Sequence, residues 1–331
     1  MIVYIVKRLV AMIPVFFFVC LIAFGIIALL PGDFYTPALF SYLQSGMTYN
    51  EANNAIDALR VAAGMDKPWI VQFFVWFSGV ITHGDFGVSW RFVFRPENGL
   101  GWTLVIASSS LVWAWILGIP IGVISALKKD SWLDHLISGL TYIGFGFPPY
   151  VWGSLFFVFM FTCVNRHIIG PGIWGLVGYE LIGAPLTWYK VGSHILHLLP
   201  AWVIVASPLL ATVVRHTRAG VSEALVAPCI TVARGKGIRE RRVVLRHALR
   251  NAINPLISTF GLMLPGMVTS MILLAPVLGF ESFGGFILDA VRWQSQHRLI
   301  TALLVYASFL LVGNLIADLL LAANDPRIRY R

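Results

Sequence analysis

The chain has 331 residues, of which 58% are hydrophobic and 12% charged, with a mean hydropathy of +0.80; an ordinary soluble domain has roughly 45–50% and about 25%. So much apolar surface exceeds what a soluble chain of this length hides, the same figures exclude a disordered chain, and Cys20, Cys163 and Cys229, with no CxxC spacing, give neither a disulfide framework nor a thiolate metal site. A polytopic membrane protein remains, and its net charge of +9 bears first on orientation.

Six stretches free of Asp, Glu, Lys and Arg reach the roughly 20 residues that a helix needs to cross a bilayer. They are Leu9–Leu30, Asn98–Leu127, His135–Asn165, Val191–Val214, Asn251–Phe280 and Leu299–Ala317, the last continuing past Asp318 to about Ala323. Their apolar runs are continuous, unlike the short alternating strands of a barrel. The first is longer than the core of a signal peptide and lacks a small-residue cleavage site before Pro31-Gly32-Asp33, so 1–30 is expected to be an uncleaved span. Of the 24 Lys and Arg, 16 lie in 1–8, 128–135, 215–250 and 322–331, and eight in 31–97, 166–190 and 281–298. This asymmetry predicts six transmembrane helices with cytoplasmic N- and C-termini.

Segment 31–97 reads as an extracytoplasmic helical subdomain. Thr48-Tyr-Asn-Glu51 is a capping-box pattern. Ala52, Ala55, Ile56, Leu59, Ala62 and Ala63 then recur at helical spacing, and Gly64 can close the helix. Trp69–Ile81, with Phe73, Phe74, Trp76 and Phe77, predicts a second helix lying on the membrane or on the bundle. Segment 98–331 reads as a five-helix core. Its third span is broken by Gly144-Phe-Gly-Phe-Pro-Pro-Tyr150 and its fifth by Gly261 and Pro265-Gly266, where freed carbonyls need a neighbour or a water-filled cavity. Gly146, Pro148, Pro265 and the stripe Met263, Met267 and Met271 are candidate lining of a translocation path, with ordinary packing as the alternative for the methionines. Asp318 is the acidic residue well inside a span; it belongs either to that path or to a polar interhelical contact with Asn314 one turn away. His194 and His197 stand at i, i+3, a spacing open to metal ligation or to interfacial hydrogen bonding.

Segment 215–250 holds nine Lys and Arg. It reads as two short helices broken by Pro228 and by Gly235-Lys236-Gly237, with Arg242, Arg246 and Arg250 in one stripe. Arginine suits phosphate and carboxylate partners; membrane lipid head groups are the simpler reading, and no fold for nucleic-acid binding is present. Gly235-Lys236-Gly237 lacks the rest of a phosphate-binding P-loop, and HExxH is absent.

Several motifs in chain order carry a resemblance. Glu223-Ala224, Ala233-Arg-Gly-Lys-Gly237, Arg246-His-Ala-Leu-Arg-Asn-Ala252 and Pro255 resemble the cytoplasmic loop of the dipeptide/oligopeptide/nickel family of ABC-transporter permeases. Tyr4, Lys7-Arg8-Leu9, Ile13-Pro14 and Leu30-Pro31-Gly32-Asp33 resemble its first span; Gly64-Met-Asp-Lys-Pro68 and His83-Gly-Asp-Phe-Gly-Val-Ser89 resemble motifs of its outer subdomain; Gly118-Ile-Pro-Ile-Gly122 fits its second span, and Asn314, Asp318 and Asp325-Pro-Arg-Ile-Arg-Tyr330 its end. Pro228 and Cys229 replace the usual acidic and aromatic residues of the loop, Gly146 a Ser, and Ala275 and Glu281-Ser282 a Glu and a Pro-Gly.

The resemblance implies a type I ABC-importer permease in the bacterial inner membrane. Glu223, Ala224, Ala233, Arg234, Lys236, Gly237 and Arg239 would form the ATPase-coupling segment. The chain itself would hold no cofactor, ATP and Mg being bound by two partner ATPase subunits. A homologous second permease would complete the path, and an extracytoplasmic solute-binding protein would deliver substrate to 31–97 and 166–190. Peptides are the expected substrate, with nickel chelates, opines and glutathione-like solutes as alternatives. From another class, an ATP-independent carrier or channel remains an alternative, although no internal repeat of the kind found in many carriers is evident.

Overall fold

A computed structural model of the chain describes residues 2–29, 35–62, 66–83, 99–166, 175–178, 181–185, 187–292 and 296–324. The elements are α1 (Ile2–Ala28), α2 (Thr36–Gln44), α3 (Tyr49–Ala62), α4 (Trp69–His83), α5 (Leu100–Leu127), α6 (Trp132–Gly146), α7 (Pro149–Asn165), α8 (Trp188–Leu225) and α9 (Pro228–Gly235). They continue as α10, which runs through Glu240–Arg242, a π-helical turn Val243–Ala248 and Leu249–Ala252, then α11 (Asn254–Leu278), α12 (Phe283–Arg292) and α13 (Gln296–Asn324). The Pro31-Gly32-Asp33 turn, the Gly64 helix stop, the 84–89 motif, most of 166–174 and the 325–330 motif lie outside the described residues.

Among the described residues, five helices are long and apolar enough to cross a membrane: Ile5–Ala28, Leu100–Leu127, Trp188–Leu225, Asn254–Leu278 and Arg298–Asn324. The expected third span is a pair, α6 and α7, bent by 93°. The cause is local. A residue before proline is pushed out of the helical region, and Phe147 (ψ 129°) and Pro148 (ψ 145°) are extended before Pro149 restarts the helix at its first position. Counting the pair as one span gives six.

The fourth span needs correction. α8 does not stop before Arg215 but continues unbroken to Leu225. Its 38 residues are about 57 Å long at 1.5 Å per residue. The break expected at Pro228 is present, since α8 ends at Leu225 and Pro228 begins α9; what differs is that the first of the two expected short helices is the continuation of the span.

α5 and α8 form the central seam, and glycines set its closeness. A Cβ on Gly118 would lie 2.7 Å from Val213 Cγ1, and one on Gly122 would lie 2.7 Å from Thr217 Cβ and 2.8 Å from the Val214 carbonyl oxygen. Small residues at a helix interface let backbones approach where water supplies no apolar drive. Around this seam pack Ile106, Leu111, Val205, Leu209 and Val213, joined from α11 by Leu256, Met263, Met267, Met271 and Leu274. α11 meets α13 where Gly261 leaves room for Asn314 and Gly313 approaches the Gly261 carbonyl. α12 lies on α11, with Gly284 against the backbone of Met271 and Ile272.

Beyond this core, α1 and α4 share an aromatic cluster. Phe73 is fully buried among Phe17, Phe24 and Phe77, with Leu304 of α13 closing it. The aromatic helix therefore lies on the bundle. Arg8 of α1 pairs with Asp318 of α13 at 3.1 Å. The capping box forms as expected: Thr48 Oγ1 and the Thr48 amide donate to Glu51 (2.7 and 3.1 Å), which lowers the Glu51 pKa. Ala52 and Ile56 turn inward from α3. The short α2, absent from the sequence reading, lies beside it.

The seam is tested by Gly122→Ala, which should cost on the order of 1–3 kcal/mol by overpacking, against Gly139→Ala, where a Cβ meets open space. Thermal unfolding of the purified protein should show a lower midpoint for the first and little change for the second; equal midpoints would refute the tight seam.

Candidate functional site

The basic segment is held by three nested contacts. The first fixes the end of α8. Arg218 donates from Nε and Nη2 to the two carboxylate oxygens of Asp134, both at 2.7 Å. Ser125 of α5 donates to the same carboxylate, as does the Asp130 amide at 3.0 Å. Asp134 is 2% exposed. A buried carboxylate requires such saturation, because an ion without partners in low dielectric is costly. The ends of α5, α6 and α8 are thereby joined.

The second contact closes α9. Gly237 has φ +72°, and its amide donates to the Arg234 carbonyl at 2.9 Å while the Ile238 amide reaches the Ala233 carbonyl at 3.4 Å. These are the two bonds of a Schellman motif with glycine in the left-handed position. The chain then reverses, and the Arg239 carbonyl accepts from Arg242 and Val243 to start α10. Arg234 donates from Nη2 and Nε to Glu240 across this turn (2.6 and 3.1 Å). The pair lowers the Glu240 carboxyl pKa and raises that of Arg234.

The third contact is apolar. Ile230, Ala233, Val243 and Ala248 form a small core with Ala224, Leu225 and Ile238 at its edge. Leu225 also belongs to the next cluster, where Val123 and Ala126 of α5 meet Val221 of α8 and Val244 and Ala252 of α10. α9 thus rests on a pad continuous with the ends of two spans.

The expected coupling residues accordingly divide by environment. Ala233 is in the pad and Ala224 borders it. Glu223, Arg234, Lys236, Gly237 and Arg239 are exposed. Val226 and Val232 are exposed beside them, 81% and 57%, and Arg239, Arg241, Arg242 and Arg246 line an open groove next to Gly237. Such a mixed apolar and cationic face suits an acidic, partly apolar protein surface. Arg250, expected in one stripe with Arg242 and Arg246, turns instead to the last span: it donates to the Asn324 carbonyl, and the Asn324 amide donates back to Arg250 O and Asn254 Oδ1.

The candidate path residues separate as well. Met263, Pro265, Met267 and Met271 are buried among the spans, so within this chain they fill the core and do not line an open path. Asp318 is engaged by Arg8. Gly146 and Pro148 are exposed at the α6–α7 bend. His194 Nδ1 is hydrogen-bonded to the Leu176 carbonyl (2.6 Å) and its ring packs on Trp102; His197 Nδ1 bonds to the Ser193 carbonyl. Among the described residues no group of three or more His, Cys, Asp and Glu is placed to hold a metal. Sequence reasoning missed Asp134, Ser125 and Asn324, whose partners include groups 70–84 residues away for Asp134 and Asn324.

Residues 118–330 match a family model described as a binding-protein-dependent transport system inner membrane component, and residues 1–106 match the N-terminal model of such membrane components. Curated relatives span the whole chain. The dipeptide transport system permease protein DppB of Escherichia coli K12 is 28% identical, the oligopeptide transport system permease protein AppB of Bacillus subtilis 31%, and the glutathione transport system permease protein GsiC of Escherichia coli K12 29%, each covering 99% of both chains. With that match over most of its length, the chain belongs to the family of inner membrane components of binding-protein-dependent transport systems, the permease subunits of ABC importers.

Proposed function

We propose that this permease carries short peptides, that α9 with the Gly237 turn is where a partner ATPase acts, and that both chain termini are cytoplasmic. The observation that supports the coupling role is the continuous pad. A push on α9 meets Ile230 and Ala233, then Leu225, then Val123 and Val221, with no loop between to absorb it. Packed interiors transmit strain because they have few voids. The Asp134–Arg218 pair then ties the same movement to α6 and its bend at Gly146 and Pro148.

In this mechanism a solute-binding protein presents substrate at the side carrying α2–α4 and the 166–190 loop. Two ATPase subunits close on ATP, and their movement reaches the spans through α9. A second homologous permease supplies the other half of the path, which lies between the two chains. The methionine core keeps each half rigid, while exposed residues such as Gly146 and Pro148 face the shared space. ATP and Mg belong to the ATPases. The peptide assignment rests on relatives named for dipeptides, oligopeptides and glutathione.

Gly237→Val places a β-branched residue at φ +72°, a conformation that costs such residues on the order of 1–2 kcal/mol or more. Peptide uptake by the assembled transporter should fall at least ten-fold while ATP hydrolysis and membrane insertion persist. Gly235→Ala, where a Cβ meets open space without positive φ, should stay near wild type; normal uptake in Gly237→Val would count against the coupling role. Reporter fusions at residues 60 and 235 should report opposite sides of the membrane, and a same-side result would overturn the orientation.

A further inference from the structure

Nine Lys and Arg crowd residues 215–250, and contacts within the chain account for four of them. Arg218 is held by Asp134, Arg234 by Glu240 and Arg250 by the Asn324 carbonyl. Arg215 lies over the rings of Tyr142 and Phe145, 5.9 and 5.2 Å from their centres. Among the described residues no carboxylate pairs with Arg239, Arg241, Arg242 or Arg246, and all four are exposed. These four line one open groove of about 680 Å³ with Ile238 and Leu245. Like charges gathered in this way repel one another and gain the fold nothing.

The local structure nevertheless brings them together. The Gly237 turn reverses the chain, so that Arg239 starts α10 beside the end of α9. The π-helical turn Val243–Ala248 then takes more residues per turn than an α-helix. It separates Arg250, tied to Asn324, from Arg242 and Arg246 in the groove.

The groove has the chemistry of a carboxylate receptor. A guanidinium fork takes a carboxylate through two bonds, and four forks around one opening suit several carboxylates on a single surface. Its position indicates whose surface. Gly237 forms its edge, and Val232 is exposed on α9 on the near side of that turn, so a body seated on α9 reaches the groove directly. A lipid fits less well. Val243, Val244, Ala248 and Ala252 are buried, and the exposed residues from the groove toward the spans are His247, Arg250 and Asn251, so no exposed apolar track leads acyl chains from the bilayer to the arginines. We propose that the groove receives an acidic patch of the ATPase subunit that sits on α9. This rests on the coupling reading for the identity of that partner and adds a second contact to it. α9 takes the push, and the arginines of α10 supply the attraction that brings and holds the partner.

The test uses the permease pair in nanodiscs of phosphatidylethanolamine and phosphatidylglycerol, titrated with its purified ATPase subunits at several salt concentrations. Wild-type affinity should fall as salt rises, because salt screens exposed charges. Arg241→Gln/Arg242→Gln should weaken binding about ten-fold at low salt, the order expected for two charge pairs at an interface rim, and should flatten the salt dependence. Arg241→Lys/Arg242→Lys, which keeps the charge, should retain most of the affinity. Unchanged affinity of the glutamine variant at every salt concentration would overturn the groove contact, as would a loss that is the same at all salt concentrations. Normal ATPase affinity with loss of retained phosphatidylglycerol would also overturn it, assigning the arginines to head groups. Coupling is read separately, as stimulation of ATP hydrolysis by the solute-binding protein at saturating ATPase. The glutamine variant should regain that stimulation by mass action, whereas Gly237→Val should not. Stimulation still missing in the glutamine variant at saturation would place these arginines in the push and overturn their role in attraction.

Discussion

A helix of 38 residues cannot be contained in a hydrocarbon layer about 30 Å thick. α8 must therefore emerge from the membrane by several turns, and everything at the candidate site depends on that emergence. Its projecting end carries Arg215, Arg218 and the residues that support α9. A projecting helix would ordinarily fray, since its last carbonyls lack partners. Here it is pinned at Arg218 by Asp134 and at Leu225 by two apolar clusters. The basic segment is accordingly an extension of the transmembrane architecture, with little of the independence of a surface loop.

A division of labour between polar and apolar contacts follows. Close packing at Gly118, Gly122 and Gly261 brings the spans together where transfer from water gives no drive. Ion pairs then fix which helix ends meet: Asp134 with Arg218 joins α6 to α8, and Asp318 with Arg8 joins α13 to α1. The reciprocal contacts of Arg250 and Asn324 attach the end of α13 to α10. The basic segment is thus attached to the bundle twice, by apolar packing at the end of α8 and by hydrogen bonds to the end of α13.

Features whose cause is local were legible from the chain alone. The Thr48–Glu51 box, the apolar length of the spans, the break of the third span within Gly144–Tyr150 and the helix end at Gly235-Lys236-Gly237 each depend on a few neighbouring residues. The family motifs were legible for the same reason, and the relatives bear out the permease reading. What stayed hidden depended on distant partners. Charges at Arg215 and Arg218 looked like the end of a span because their partners, Asp134 and the rings of α6, are more than sixty residues away. The methionine stripe fitted a lining or a core equally well until α11 was placed among its neighbours. The π-helical turn at Val243–Ala248, which carries Val244 into one cluster and Val243 and Ala248 into another, has no marker in composition.

The central claim is that α9 and the ends of α5 and α8 move as one body. Spin labels at Val232, exposed on α9, and Lys128, exposed at the end of α5, report on it directly in the assembled transporter by pulsed electron resonance. The account predicts one narrow distance distribution that stays the same with and without ATP, while distances across the permease pair change. A Val232–Lys128 distance that shifts or broadens on ATP binding would show α9 moving on its own and would contradict the account.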